Sequence, residues 1–292
     1  MQELQISTTI PPKLVLINDY AGFGRIALAA AIPVVSTLGV QPVAVPTALF
    51  SNHTAYPTWS YLDLSGHMPE YLQGLEDIRL KFEGICCGFL GKKRQIQMVA
   101  DFVDNHPESV FILDPVMADY GKFYSTVDAK YCKAMEKLIE KAHILTPNVT
   151  EACLLCGKEE WLEEKDDVNQ GWSTKELEYL GAHLLAKGPT AVVITGIKSG
   201  KSFVNFIACK EGDSPVYVPV VSLQKGAQRH GTGDIFTAII AADAVNQVPL
   251  NVSVQKAADF IGICTEASDK VGLPNHEGVL LENCLPYLRS IL

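Results

Sequence analysis

Short runs of apolar, often β-branched residues alternate along the chain with longer stretches whose apolar positions recur every three or four residues. The runs at 14–17, 43–45, 84–87, 110–113, 143–145 and 191–194 read as strands, and 96–104, 128–141 and 175–187 carry helical spacing. Strand, helix, strand repeated in this way implies right-handed crossovers and a parallel sheet covered on both faces. The predicted fold is an α/β, three-layer αβα sandwich with a mostly parallel central sheet. After Gly196 the pattern changes. Apolar runs at 203–209 and 216–221 flank the turn-rich stretch 210–215, which suits an antiparallel hairpin at one edge. The last third reads as three helices, at 234–245, 252–268 and 278–288.

Composition narrows this further. With 292 residues, 48% of them hydrophobic, the chain can bury a large core, and no compositional break marks a linker, so one domain over 1–292 is expected. Residues 26–62 contain no Lys, Arg, Asp or Glu, but Pro33, Gly39, Pro42, Pro46 and Pro57 interrupt them; they read as buried α/β core and not as a membrane span. A net charge of −9 without any Lys/Arg run argues against nucleic acid or an anionic membrane as the main partner. The N-terminus lacks the basic start and continuous apolar run of a secretory signal. The eight cysteines show no spaced framework: Cys86-Cys87 sits in an apolar run, and Cys153-Leu-Leu-Cys156 has no second pair. Thiols in a cytoplasmic protein are the expectation. The acidic residues of 159–167 look like an exposed loop.

In open parallel sheets ligands bind beyond the carboxyl ends of the strands, so the residues after each predicted strand are where chemistry is sought. Gly231-Thr-Gly-Asp234 precedes a strongly apolar helix; its glycines and the free amides of a helix start can cradle a phosphate, with Asp234 beside it to accept a proton. An acid there also suits the helix dipole, yet capping alone does not require two glycines. Asp114, in Asp114-Pro-Val-Met-Ala-Asp119, ends a buried strand where Mg²⁺ or its water shell can use a carboxylate. Asn148 with Glu151, in Thr146-Pro-Asn-Val-Thr-Glu151, forms a capping-box pattern that needs no ligand. Gly22-Phe-Gly24-Arg-Ile-Ala27 formally matches the dinucleotide fingerprint G-x-G-x-x-A, but the acid that would hold a ribose is missing from 26–62; a tight turn and a close approach of substrate to backbone stay open. His53 follows strand two and is either a substrate contact or a hydrogen-bonded structural residue. Serine hydrolase, zincin and P-loop signatures are absent.

Taken together, Gly231-Thr-Gly-Asp234, Asp114-Pro-Val-Met117, Thr146-Pro-Asn-Val-Thr-Glu151 and Phe50-Ser-Asn-His-Thr54 resemble the pyridoxal kinase family of the ribokinase-like superfamily, in order and spacing, from about Leu14 to Ser268. The resemblance implies a ribokinase-like fold, ATP and Mg²⁺ as cofactors with a monovalent cation such as K⁺, and a homodimer. By motif it makes Asp234 the catalytic base and Gly231, Thr232 and Gly233 the anion-binding turn. Asp114, Asn148 and Glu151 fall at the nucleotide and Mg²⁺ positions, with Thr146, Asp119 and Thr195 near phosphates or the monovalent cation. Asp19, Thr47 and His53 fall on the ring side. Phe89 lies near the position of a ring-stacking Tyr, and Asp19 replaces a Ser common in pyridoxal kinases and resembles the pyrimidine-kinase branch more closely. Gln228-Arg229-His230 stands where some short vitamin kinases carry a reactive Cys, so covalent capture of an aldehyde is not supported. The implied activity is ATP-dependent phosphorylation of the 5′-hydroxymethyl group of pyridoxal, pyridoxamine or pyridoxine. The alternatives are hydroxymethylpyrimidine kinase activity and a catalytically silent vitamin-binding protein on the same fold.

Overall fold

The computed structural model describes residues 9–124, 127–164, 171–199, 202–211, 214–224 and 229–291. Its strands are β1 (Lys13–Phe23), β2 (Gln41–Asn52), β3 (Tyr61–Asp63), β4 (Gly84–Cys87), β5 (Val110–Leu113), β6 (Ala118–Asp119), β7 (Lys122–Phe123), β8 (Ile144–Leu145), β9 (Ala191–Ser199), β10 (Ser202–Glu211) and β11 (Ser214–Gln224). The helices are α1 (Ala27–Thr37), α2 (Met68–Asp77), α3 (Lys93–Asp104), α4 (Ala129–Ile139), α5 (Val149–Leu155), α6 (Glu159–Glu164), α7 (Thr174–Ala186), α8 (Thr232–Val245), α9 (Leu250–Lys270) and α10 (Leu281–Leu288).

One nine-stranded sheet runs β11-β10-β9-β8-β5-β4-β1-β2-β3. The pairs from β2 to β9 are parallel, and β10 and β11 add the antiparallel edge expected from the sequence. Alternate residues of each central strand feed opposite cores. Val15 and Ile17 of β1 pack with α2, α3, α4 and α7, whereas Leu14 and Leu16 pack with α1, α8, α9 and α10. Period-two alternation between two apolar layers is what a doubly covered sheet demands of its strands. Helix α8 is buried from Ile235 to Asp243 because sheet and α9 enclose it; that is why its sequence is apolar all round.

Strand order reverses between β1 and β4: β2 follows on one side of β1, while β4, β5, β8 and β9 extend on the other. A crevice opens at such a point beyond the strands' carboxyl ends. A register shift between Asn18 and Tyr20 places three residue steps of β2 opposite two of β1, so the extra residue falls in the Thr47–Ala48 region beside that crevice.

Several expectations change. Residues 26–62 are core only in their first two thirds, for Trp59 and Leu62 are exposed and β3 forms a second antiparallel edge. Glu159–Glu164 is helix α6 and not a loop, its two leading acids favouring a helix start. Residues 165–167 of that acidic stretch, 212–213 of the hairpin turn, and Gln228 lie outside the described residues. The predicted helix at 278–288 begins later, at Leu281, after a 3₁₀ turn at Asn275–Glu277. No disulfide forms among the eight cysteines.

Candidate active site

Helix α8 starts at the crevice with Gly231 as its N-cap, in the left-handed conformation at φ 80°. A Cβ on Gly231 would stand 2.0 Å from the Arg25 carbonyl oxygen, so packing requires this glycine. No side chain caps the helix, and the N–H groups of Thr232, Gly233 and Asp234 meet no acceptor among the described residues. These are the orphan donors of a helix start, aimed at a cavity of about 210 Å³. The Thr232 hydroxyl donates to Arg229 O at 2.9 Å and braces the turn. The Arg229 side chain is buried against Asp269 and three carbonyls.

A Cβ on Gly233 would meet nothing within 4 Å. The second glycine is thus not demanded by protein packing; its open face is where an anion would lie. Gly233→Ala is expected to hold or raise Tm, since Ala suits a helix better than Gly, while raising the KM for nucleotide or lowering kcat by about tenfold or more. Thermal melts and steady-state kinetics on the one variant check both halves.

Asp234 is half-buried in the first turn of α8. Its carboxylate accepts from Asn18 Nδ2 at 3.1 Å and from the Ala27 backbone N–H, while burial holds its pKa above the usual carboxylate range. Ala27 has φ 48°, a rare conformation for a residue with a Cβ, at the point where β1 hands over to α1. Across the cavity, Asp114 ends β5 and accepts from Thr237 Oγ1 at 3.2 Å; Thr237 in turn meets Thr146 Oγ1 at 3.0 Å. Burial, with the Asp234 charge second, pushes Asp114 up to about 7. A void of about 20 Å³, room for one water, lies between Asn18, Cys86, Asp114 and Asp234.

Glu151 and Asn148 form the capping box of α5 expected from their spacing. Both Glu151 carboxylate oxygens are occupied by backbone donors. Oε1 takes Met117 N at 3.0 Å and Ala118 N at 3.4 Å, and Oε2 takes Asn148 N at 2.9 Å. Glu151 therefore ties the segment after Asp114 to α5, whereas Asp114 and Asp119 each have one oxygen that meets no donor among the described residues. The Asn148 amide donates to Ala118 O, Thr195 pairs with Asn148 as an isolated bridge, and Asp119 precedes a tight Tyr120-Gly121 turn at the rim. The expected Asp114, Asp119, Thr146, Asn148, Glu151, Thr195, Gly231, Thr232, Gly233 and Asp234 all line the one cavity.

Asp19, Thr47, His53 and Phe89 do not line it, though Asp19 lies near enough to Asp234 to feel its charge. Asp19 is 7% exposed, and burial together with the Asp234 charge raises it to about 7. The Thr47 hydroxyl donates to Phe89 O at 2.9 Å, and Phe89 meets Phe50 edge-on within an aromatic group that includes Trp59 and Tyr61. His53 has both ring nitrogens committed: Nδ1 accepts from Ala55 N at 3.2 Å and Nε2 donates to His276 O. That is the structural role. Gly24, at φ 110°, lies where a Cβ would come within 2.8 Å of the His53 ring, which fits the turn reading, whereas Gly22 lies inside β1, where a Cβ would stand 3.1 Å from Ser51 O of the neighbouring strand. Asn18 and Thr237 were not singled out from the sequence. One looks like a strand-end amide and the other like a polar break in an apolar helix.

Two acids with pKa values near 7, the buried Asp19 and the half-buried Asp114, have a consequence for stability. Asp19 and Asp114 favour the protonated form in the folded state, so their contribution is fully present below the unfolded value of 3.8 and is lost as pH rises toward about 7. The Tm of the ligand-free protein should fall between pH 5 and pH 8, other groups being equal, and the Asp19→Asn/Asp114→Asn double variant should flatten that slope.

A cavity at the reversal of a parallel sheet, lined by an uncapped helix start and by acids, fits a small-molecule kinase. More particularly, the chain belongs to the phosphomethylpyrimidine kinase family, whose sequence model matches residues 28–279. A Bacteroides thetaiotaomicron protein, provisionally designated a phosphomethylpyrimidine kinase and crystallised with pyridoxal, is similar at 33% identity and TM-score 0.85, with 97% of each chain covered. Pyridoxal kinase PdxY of Deinococcus radiodurans is 27% identical over 245 residues, 80% of this chain and 79% of its own. The hydroxymethylpyrimidine/phosphomethylpyrimidine kinase of Haemophilus influenzae is 28% identical over 224 residues, 74% of this chain and 78% of its own. The resemblance read from the motifs is borne out.

Proposed function

We propose that this protein transfers the γ-phosphoryl group of ATP to the 5′-hydroxymethyl group of a B6 vitamer: pyridoxal, pyridoxamine or pyridoxine. The observation that carries the reading is Asp234, placed in the first turn of an uncapped helix start that lines the cavity and bonded to Asn18 of β1. Asp234 accepts the proton as the hydroxymethyl oxygen attacks the γ-phosphorus; the bond from that phosphorus to the bridging oxygen breaks, and ADP leaves with its electron pair. The amides of Thr232, Gly233 and Asp234 stabilise charge on the transferring group, and the water-poor crevice strengthens them.

Among the described residues no three His, Cys, Asp or Glu side chains converge as a ready-made metal cage. Four acids nonetheless face the cavity, and Asp114 has an open oxygen. That donor set suits Mg²⁺, which keeps waters and takes one or two carboxylates together with substrate phosphates. Asp114 would hold it, directly or through water, with Asp119 at the rim, and the ion would offset phosphate charge. The same reading makes the chain one cytoplasmic kinase domain and a homodimer. Thiols without disulfides and the exposed Phe23, Leu49, Trp59 and Leu62 at the β1–β3 edge support it.

Asp19 and the relationship to the Haemophilus enzyme favour one second reading, a hydroxymethylpyrimidine kinase. An ATP-coupled screen of ADP release with the three vitamers, the hydroxymethylpyrimidine and several sugars separates the readings. Turnover with at least one B6 vitamer exceeding the pyrimidine by tenfold or more in kcat/KM is expected. Pyrimidine preference selects the second reading, and binding without ADP release makes the protein a silent relative.

A further inference from the structure

Asn18 sits midway along β1, one residue past the last pair that β1 makes with β4, at the point where strand order reverses, and its carboxamide bonds both Phe89 and Asp234. Oδ1 accepts two backbone donors, Phe89 N–H at 2.8 Å and Asp19 N–H at 3.0 Å. With both lone pairs of the oxygen used, the amide cannot be turned over, and its Nδ2 must face Asp234, where it donates to Oδ1 at 3.1 Å. Beneath it lies Gly88, whose backbone is bound to β1 by Gly88 N–H donating to Ile17 O at 2.8 Å. A Cβ on Gly88 would stand 2.6 Å from Asn18 Nδ2 and 2.8 Å from Cγ, so the carboxamide lies flat on a surface that only glycine leaves free.

We infer that Asn18 is a positioning residue for phosphoryl transfer, fixing the Asp234 carboxylate in register with the wall that faces the ring substrate. The inference rests on the role proposed for Asp234. A continuous path of hydrogen bonds runs from the Thr47 hydroxyl to Phe89 O, and from Phe89 N–H through the Asn18 amide to Asp234. Wall and base are thereby joined through one planar group with no free rotation. Asp234 Oδ1 is the oxygen so held. An amide donor also suits the ionised, proton-accepting form of Asp234, whereas an acid at position 18 would oppose it.

Positioning predicts a particular kinetic pattern. Asn18→Ala should lower kcat by roughly 10- to 100-fold while the KM values for nucleotide and ring alcohol stay within about threefold, because geometry at the reacting atoms is lost and the binding surfaces are not. Asn18→Asp, of nearly equal size, should lose at least as much, since shape without the donor does not serve. Gly88→Ala should mimic the loss by displacing the carboxamide, yet add less than about twofold in the Asn18→Ala background, where the space is vacant. If Asn18→Ala does not fold, Gly88→Ala in the otherwise wild-type chain carries the same kcat-against-KM test. Unchanged kcat in Asn18→Ala, a loss confined to KM, or fully multiplicative losses in the double variant would overturn the inference. Asp234→Asn measured alongside tells the two failures apart. Wild-type turnover in that variant removes the base itself and the inference with it, whereas an inactive Asp234→Asn beside a fully active Asn18→Ala removes the positioning role alone.

Discussion

Asp234→Asn is expected to fold as the parent protein does and to lose roughly 10²- to 10⁴-fold in kcat, with much smaller changes in the binding of either substrate. The replacement keeps the shape of the side chain and an oxygen to accept from Asn18, so the start of α8 is preserved. What disappears is one of the two carboxylates, with Asp114, that border both the phosphate-side cavity and the small void next to Asn18 and Gly88, and the one that stands in the first turn of α8. The variant carries a second signature. The charge of Asp234 helps to raise both Asp19 and Asp114, so its removal relieves both, and the Tm at pH 8 should equal or exceed that of the parent. Loss of turnover together with undiminished stability identifies a chemical role; loss of both would identify a structural one. Steady-state kinetics and melts at pH 6 and pH 8 supply the comparison.

Gly231→Ala is expected to be the most damaging small substitution in the site. The residue occupies φ 80°, where a side chain costs about 1–2 kcal/mol, and its Cβ would stand 2.0 Å from the Arg25 backbone oxygen, a clash that overpacking data price at about 1–3 kcal/mol. For a chain of this size that corresponds to a fall in Tm of roughly 3–8 °C. Relief requires moving either the β1–α1 connection, which holds the Ala27 N–H on Asp234, or the turn that presents the α8 amides. Either movement disturbs the chemistry, so the surviving folded protein should also be at least tenfold slower. The contrast with Gly233→Ala is the useful part, since two glycines one residue apart should fail for opposite reasons: the first in stability, the second in nucleotide handling.

How far the sequence alone reaches can be judged residue by residue. The buried strands at 84–87 and 110–113 were legible to the residue because a continuous apolar run flanked by polar residues has few other uses in an α/β chain. The turn before α8 was legible because two glycines, a threonine and an acid before an apolar helix over-specify a simple cap. The capping box at Asn148 and Glu151 was legible too, but its consequence was not. Only the folded chain shows that Glu151 spends both oxygens on backbone amides and so works as a brace. Asn18 was invisible for a different reason. Its partners Phe89 and Asp234 lie 71 and 216 residues away, and nothing local marks such an amide as the link between them. Strand β3 and helix α2 were missed because their faces are mostly exposed, which weakens the apolar period on which such reading depends.

The most direct test is to follow phosphorus itself. Enzyme, ATP and Mg²⁺ are mixed with pyridoxal, pyridoxamine and pyridoxine in turn, and the products are resolved by ³¹P NMR. A phosphate monoester of the ring alcohol appearing in step with ADP, fast in the parent protein and slowed at least a hundredfold in Asp234→Asn, is the predicted result. Saturating binding of nucleotide and vitamer with no ester formed, or ester formed equally fast without the Asp234 carboxylate, would contradict it.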